Sequence, residues 1–198
     1  MNKLFSYSKI AAFGVIFLLI IQIALVFVEG KSMLFITNSL GAIYCVLWIV
    51  LFALIATKSV KGSPLVAPSF ITGAGYVLSI VSIILFVIGY IVISEDTYNY
   101  QWYVVANIVN IVAMAATVIG FIWLSKFFAK GSPQKAASII IPIVIVANYV
   151  VSTFLYKPWS IEDESKRILV MHIRSIIDYV VTYGSAFFFM FSLSKLKK

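Results

Sequence analysis

The chain has a single cysteine, Cys45, and a single histidine, His172, and each scarcity closes off a chemistry. One cysteine cannot form an internal disulfide. One Cys and one His cannot build a zinc cluster or a bis-histidine haem site, so neither a cofactor nor a metal is expected. Glycine-rich phosphate loops, HExxH helices and GxSxG elbows are also missing, and no enzyme is expected. Asp178 and His172 could join a serine in a triad on paper, yet nothing places a nucleophile beside them.

Charge is scarce too. Charged residues are 11% and hydrophobic residues 63% of the 198 positions, against about 25% and 45–50% in soluble domains. Such a chain cannot cover its apolar surface with water-facing side chains, and its solvent must be a bilayer. The polar gaps leave no room for a second, soluble domain, so one transmembrane domain over 1–198 is expected.

What the chain does have is six long apolar runs, at 10–28, 33–56, 70–93, 102–124, 137–156 and 168–193. Each approaches or exceeds the roughly 20 residues that cross about 30 Å of hydrocarbon. Continuous helices follow, because lipid cannot satisfy exposed backbone N–H and C=O groups. The expected fold is all-α, a polytopic membrane protein of six transmembrane helices. Two lysines precede the first run, as in a signal peptide. That run is longer than the usual core of about 7–15 residues and lacks a small-x-small cleavage site, so a retained helix is expected.

Acidic residues are absent from four of the polar segments, which hold Lys3 and Lys9, Lys58 and Lys61, Lys126, Lys130 and Lys135, and Lys195, Lys197 and Lys198. Glu29, Glu95, Asp96, Glu162, Asp163 and Glu164 fall in the other three gaps. Spans that obey the positive-inside rule alternate in this way, which puts both termini in the cytoplasm of a cell-membrane protein. The net charge of +8 would point to nucleic acid in a soluble protein. Here ten of the fifteen basic residues lie in the lysine-only segments, where they set topology and meet anionic headgroups, so no nucleic-acid partner is expected. Tyr98, Tyr100, Trp102 and Tyr103, then Tyr156 and Trp159, mark an outer boundary, and Trp123, Phe127 and Phe128 an inner one.

A short internal repeat is visible. Lys61-Gly62-Ser63-Pro64 returns as Lys130-Gly131-Ser132-Pro133 sixty-nine positions later, and Leu124-Ser125-Lys126 as Leu193-Ser194-Lys195 at the same offset. Asn38 and Asn107 match as well, and two-helix hairpins repeated in parallel orientation are expected.

The sixth run carries the sharpest chemical signal. Arg174 and Asp178 stand four apart on one helix face, with His172 a turn further out and Thr182 and Ser185 below. Ionisable groups cost about 2.5–3.5 kcal/mol each at a span centre, so this pair should be shallow, mutually satisfied or turned to the bundle interior. Other spans add amides at comparable depth: Asn107 and Asn110 in the fourth, Asn148 in the fifth. Asp178, Arg174, Asn107, Asn110, Asn148 and His172 are therefore the candidate solute-binding residues. The expected function is handling of a small polar solute or ion, as a permease, channel or substrate-binding subunit, through an outward-facing polar cavity around span six. The alternative is a non-catalytic anchoring or assembly subunit that meets a membrane-protein partner, or further copies of itself, within the bilayer. Two small-residue faces would serve packing: Ala113, Ala116, Thr117 and Gly120 in span four, and Gly184, Ser185 and Ala186 in span six.

Overall fold

The computed structural model describes residues 2–28, 31–58, 63–92, 100–155 and 157–195. Among them are six long helices and no strand: α1 (Asn2–Leu25), α2 (Lys31–Lys58), α3 (Val66–Val92), α4 (Tyr100–Ser125), α5 (Pro133–Val150) and α6 (Glu164–Ser194). Each of the six is long and apolar enough to cross a membrane. Most overrun the apolar windows of the sequence by several residues, because a helix continues into the interface wherever its turns can be capped. Glu29, Lys61, Gly62, Glu95, Asp96, Tyr98, Tyr156, Lys197 and Lys198 lie outside the described residues.

Local chemistry sets the better-defined ends. Ser132 caps α5 by accepting from the Lys135 N–H at 3.2 Å, Pro133 occupies the first turn, and Gly131 makes the preceding turn at φ 78°. Asp163 caps α6 by accepting from the Lys166 N–H at 3.1 Å, and Glu164 adds negative charge to the same positive helix end.

The helices form a ring. Each packs against its neighbours in sequence, and α1 closes the circuit against α6. The tightest seam is α3–α4, where two glycines let backbones meet. A methyl group on Gly120 would strike Thr72 Oγ1 and stand 2.8 Å from the Thr72 nitrogen. One on Gly75 would strike Thr117 Oγ1 and stand 2.8 Å from the Ala113 carbonyl. Ala113 and Thr117 are buried at this seam, as the small-residue pattern of span four predicts. Span six differs. Ala186 is fully buried, but Gly184 faces open space and Ser185 faces a cavity.

Hydrogen bonds staple the ring at several joints. Ser82 Oγ donates to the Ala106 carbonyl (2.8 Å) between α3 and α4, and Gln134 Nε2 to the Ser192 carbonyl (2.7 Å) between α5 and α6. Gln22, buried in α1, donates to the Thr37 carbonyl of α2 at 3.2 Å and reaches Tyr183 Oη of α6 at 3.5 Å. Such bonds average about 0.6 kcal/mol in a membrane bundle, so packing must carry most of the cohesion.

An aromatic cluster supplies that packing toward the end of the bundle that carries both termini. The Trp48 ring stacks on Tyr76 at 5.2 Å and on Phe52 at 5.5 Å, and Phe121 and Phe189 meet it at 5.4 and 5.6 Å. Trp48, Phe52, Phe121 and Phe189 come from three different helices and are at most 1% exposed. The outward faces are the reverse: Phe17 is 64% and Ile143 61% exposed, with many similar residues around the ring. Continuous apolar surface on that scale is unstable in water and at home in lipid. The chain is an integral membrane protein.

Candidate functional site

Above the aromatic cluster the ring does not fill. A cavity of about 370 Å³ lies between α2, α3, α4, α5 and α6, and α1 takes no part in it. Tyr44 and Cys45 enter from α2, Tyr76 and Ser79 from α3, and Asn110, Met114 and Thr117 from α4. The α5 wall is apolar near its start, at Ile141, Val144 and Ile145, and polar further on, at Asn148 and Tyr149. Thr182 and Ser185 complete it from α6. The polar groups thus converge from five helices onto one space, as in sites that fix a small molecule by a few placed hydrogen bonds.

A polar ladder joins α5 to α6 along the cavity's side. Asn148 Nδ2 donates to Thr182 Oγ1 at 3.2 Å. Above it, Arg174 Nη2 donates to Ser152 Oγ at 3.2 Å and pairs with Asp178 Oδ1 at 2.8 Å. The backbone under Ser152 is not α-helical. After Val150 the chain widens into a π-turn over Val151–Leu155. Such turns are rare inside helices and recur at functional sites, because they re-aim side chains at the cost of backbone geometry. The helix passes through Pro142 and departs from α geometry only here, where Ser152 meets the ion pair.

Depth explains why the pair is tolerated. Counting about 20 residues back from the end of α6 at Ser194 reaches the level of Arg174. The guanidinium therefore sits near the hydrocarbon boundary, and Asp178 one turn inside it. Their side chains keep 16% and 27% of their surface, so both are largely removed from water and depend on each other.

Of the six candidate residues, Asn110 and Asn148 line the cavity, and Arg174 and Asp178 stand beside it, joined to the lining residue Ser152. The other two lie elsewhere. Asn107 is exposed one turn from Asn110 and donates to the carbonyl of its own helix at Tyr103 (3.0 Å). His172 packs edge-on against Phe27 at 5.4 Å, at the α1–α6 contact. Tyr44 and Tyr76 are lining residues that polarity alone does not pick out. The signal for them was depth: tyrosines favour membrane interfaces, and these two lie well inside spans. Among the described residues no three His, Cys, Asp or Glu side chains gather to hold a metal.

No family model, no curated protein and no solved structure matches the chain. Function therefore rests on the chemistry of the cavity.

Proposed function

We propose that the protein binds a small polar solute in the cavity between α2 and α6 and handles it as a permease, a channel or the solute-capturing subunit of a transporter. One observation carries this reading: amides and hydroxyls from α3, α4, α5 and α6 converge on unfilled space inside a bundle whose outer faces are apolar. Polar groups inside a membrane protein are costly unless they serve each other or a guest. A bundle assembled only for anchoring has no need to leave them facing a void. The cavity offers no acid–base pair, so the reading is of binding and not of catalysis.

Lysine placement supports an orientation with both termini and the α4–α5 turn in the cytoplasm and the cavity's mouth, beside Arg174 and Asp178, outside. Hairpin duplication accounts for the way the walls correspond. Cys45 and Met114, Tyr76 and Ile145, and Ser79 and Asn148 are each sixty-nine positions apart, and all six line the cavity. Phe52 and Phe121 have the same spacing and meet at 5.5 Å in the floor.

The test is a screen of small polar metabolites by thermal unfolding of the purified protein in detergent. A true ligand stabilises saturably, by about 2.7 kcal/mol at a hundredfold excess over Kd. Asn148→Leu should abolish that shift while costing only about 0.6 kcal/mol of stability itself, and Phe17→Leu on the lipid face should leave the shift intact. If every compound that stabilises the parent stabilises Asn148→Leu equally, the cavity is not the binding site.

A further inference from the structure

The cavity's hydrogen-bonding groups are unevenly committed, and this bears on what it can hold. Ser79 Oγ gives its hydrogen to the Gly75 carbonyl (3.1 Å), Thr117 Oγ1 to the Ala113 carbonyl (2.8 Å) and Ser185 Oγ to the Thr182 carbonyl (2.9 Å). Each hydroxyl then has only lone pairs left for a guest. Asn148 gives one of its two amide N–H groups to Thr182 and keeps the other beside its carbonyl oxygen. Four wall groups on four helices therefore hold acceptors waiting for donors. The Tyr76 phenol gives its hydrogen to Tyr44, which leaves one phenolic hydrogen between the two and does not remove that demand.

Charge is equally informative. Among the lining residues there is no Lys, Arg, His, Asp or Glu. The nearest ionic groups, Arg174 and Asp178, are spent on each other and on Ser152. An ionised guest would leave its hydration shell and meet no counter-charge, a transfer that buried sites support only with a paired partner. At the bottom, Tyr44 and Tyr76 offer aromatic surface, their rings 6.4 Å apart and steeply inclined. Aromatic walls favour a flat apolar face in the guest.

Resting on the solute-binding reading above, we propose that the cavity is selective for an uncharged molecule with a flat ring and at least two N–H or O–H donors, and that it rejects anions and cations of the same shape. The unpaired acceptors set the donor requirement, because a guest without donors would displace water and leave four oxygens unmet. The site discriminates more by what it cannot satisfy than by size.

Four probes built on one phenyl ring test this: benzamide, N,N-dimethylbenzamide, benzoate and benzamidinium, titrated against the purified full-length chain in detergent by thermal unfolding. Benzamide is expected to bind saturably and at least tenfold more tightly than the other three. In Asn110→Asp, which adds a carboxylate where the parent has an exposed amide with room around it, benzamidinium is expected to gain at least tenfold. Benzoate or benzamidinium equalling benzamide in the parent would overturn the demand for neutrality. Dimethylbenzamide equalling it would overturn the demand for donors. In either case the saturable binding would leave the solute reading standing. Silence from all four beside a charged metabolite that binds would overturn the selectivity alone; silence from all four and from the metabolite screen would remove the solute reading with it.

Discussion

Gly120→Leu is expected to leave little folded protein. The glycine stands where α4 crosses α3, and its missing side chain is replaced by the backbone of Thr72, with nitrogen at 2.8 Å and Cα at 3.0 Å from the site of a Cβ. A flexible side chain could swing aside, but a helix backbone cannot. Thr72 Oγ1, the other neighbour, is held by its bond to the Pro68 carbonyl at 2.7 Å. Over-packing a tight core costs about 1–3 kcal/mol, and here a whole helix must shift, so a loss of about 3 kcal/mol or more is expected. Lipid offers no hydrophobic compensation, because tails solvate separated helices as well as another helix does. Gly184→Leu is the control of matched chemistry: no atom lies within 4 Å of its Cβ position, so it should fold as the parent does. Melting temperature and monodisperse yield in mild detergent measure both. Equal behaviour of the two variants would mean that the α3–α4 seam is not packed as described.

The second large effect concerns the ion pair. Arg174→Leu leaves the Asp178 carboxylate one turn inside the hydrocarbon with no cation, and a loss of about 2 kcal/mol is expected. Asp178→Asn should cost about 1 kcal/mol, since the guanidinium keeps Ser152 and can extend toward headgroups. The double variant, Arg174→Leu with Asp178→Asn, should lose less than the sum, because it leaves no unpaired charge. The coupling in that cycle, about 1 kcal/mol, is the pair's own contribution. Strict additivity in the unfolding measurements would show that the 2.8 Å contact carries no energy.

Much of the fold was legible because a bilayer imposes one simple demand on a sequence. Runs long and apolar enough to span, separated by short polar gaps, leave helices as the only satisfied backbone, and six helices are present at those places. The ring order was not legible. Apolar residues surround most of these helices, so there is no polar face to say which side meets a neighbour. The choice falls to close approaches such as Gly120 on Thr72 and Gly75 on Thr117.

The site was readable in part for the same reason. Asn110, Asn148, Arg174 and Asp178 stand out against an apolar background, and cost argues that such groups face inward or toward each other. Asn107 stands out equally, yet the three-residue step to Asn110 falls about 60° short of a full turn, and its amide satisfies itself on the Tyr103 carbonyl. His172 sits at the α1–α6 contact for want of any sequence cue about which helix lies beside it. The π-turn at Val151–Leu155 has no residue signature in this chain. It inserts itself where Ser152 reaches Arg174, a tertiary demand that spacing within one helix does not express.

Side-specific labelling tests the cavity most directly. In a Cys45→Ala background, single cysteines are introduced by Ser152→Cys, at the mouth, and by Lys130→Cys, in the α4–α5 turn. A membrane-impermeant thiol reagent is then added to one face of sealed membranes. The two positions should be modified from opposite faces, and a ligand found by thermal stabilisation should slow modification at 152 and not at 130. Modification of both from one face, or of position 152 from neither, would contradict a cavity that opens away from the termini.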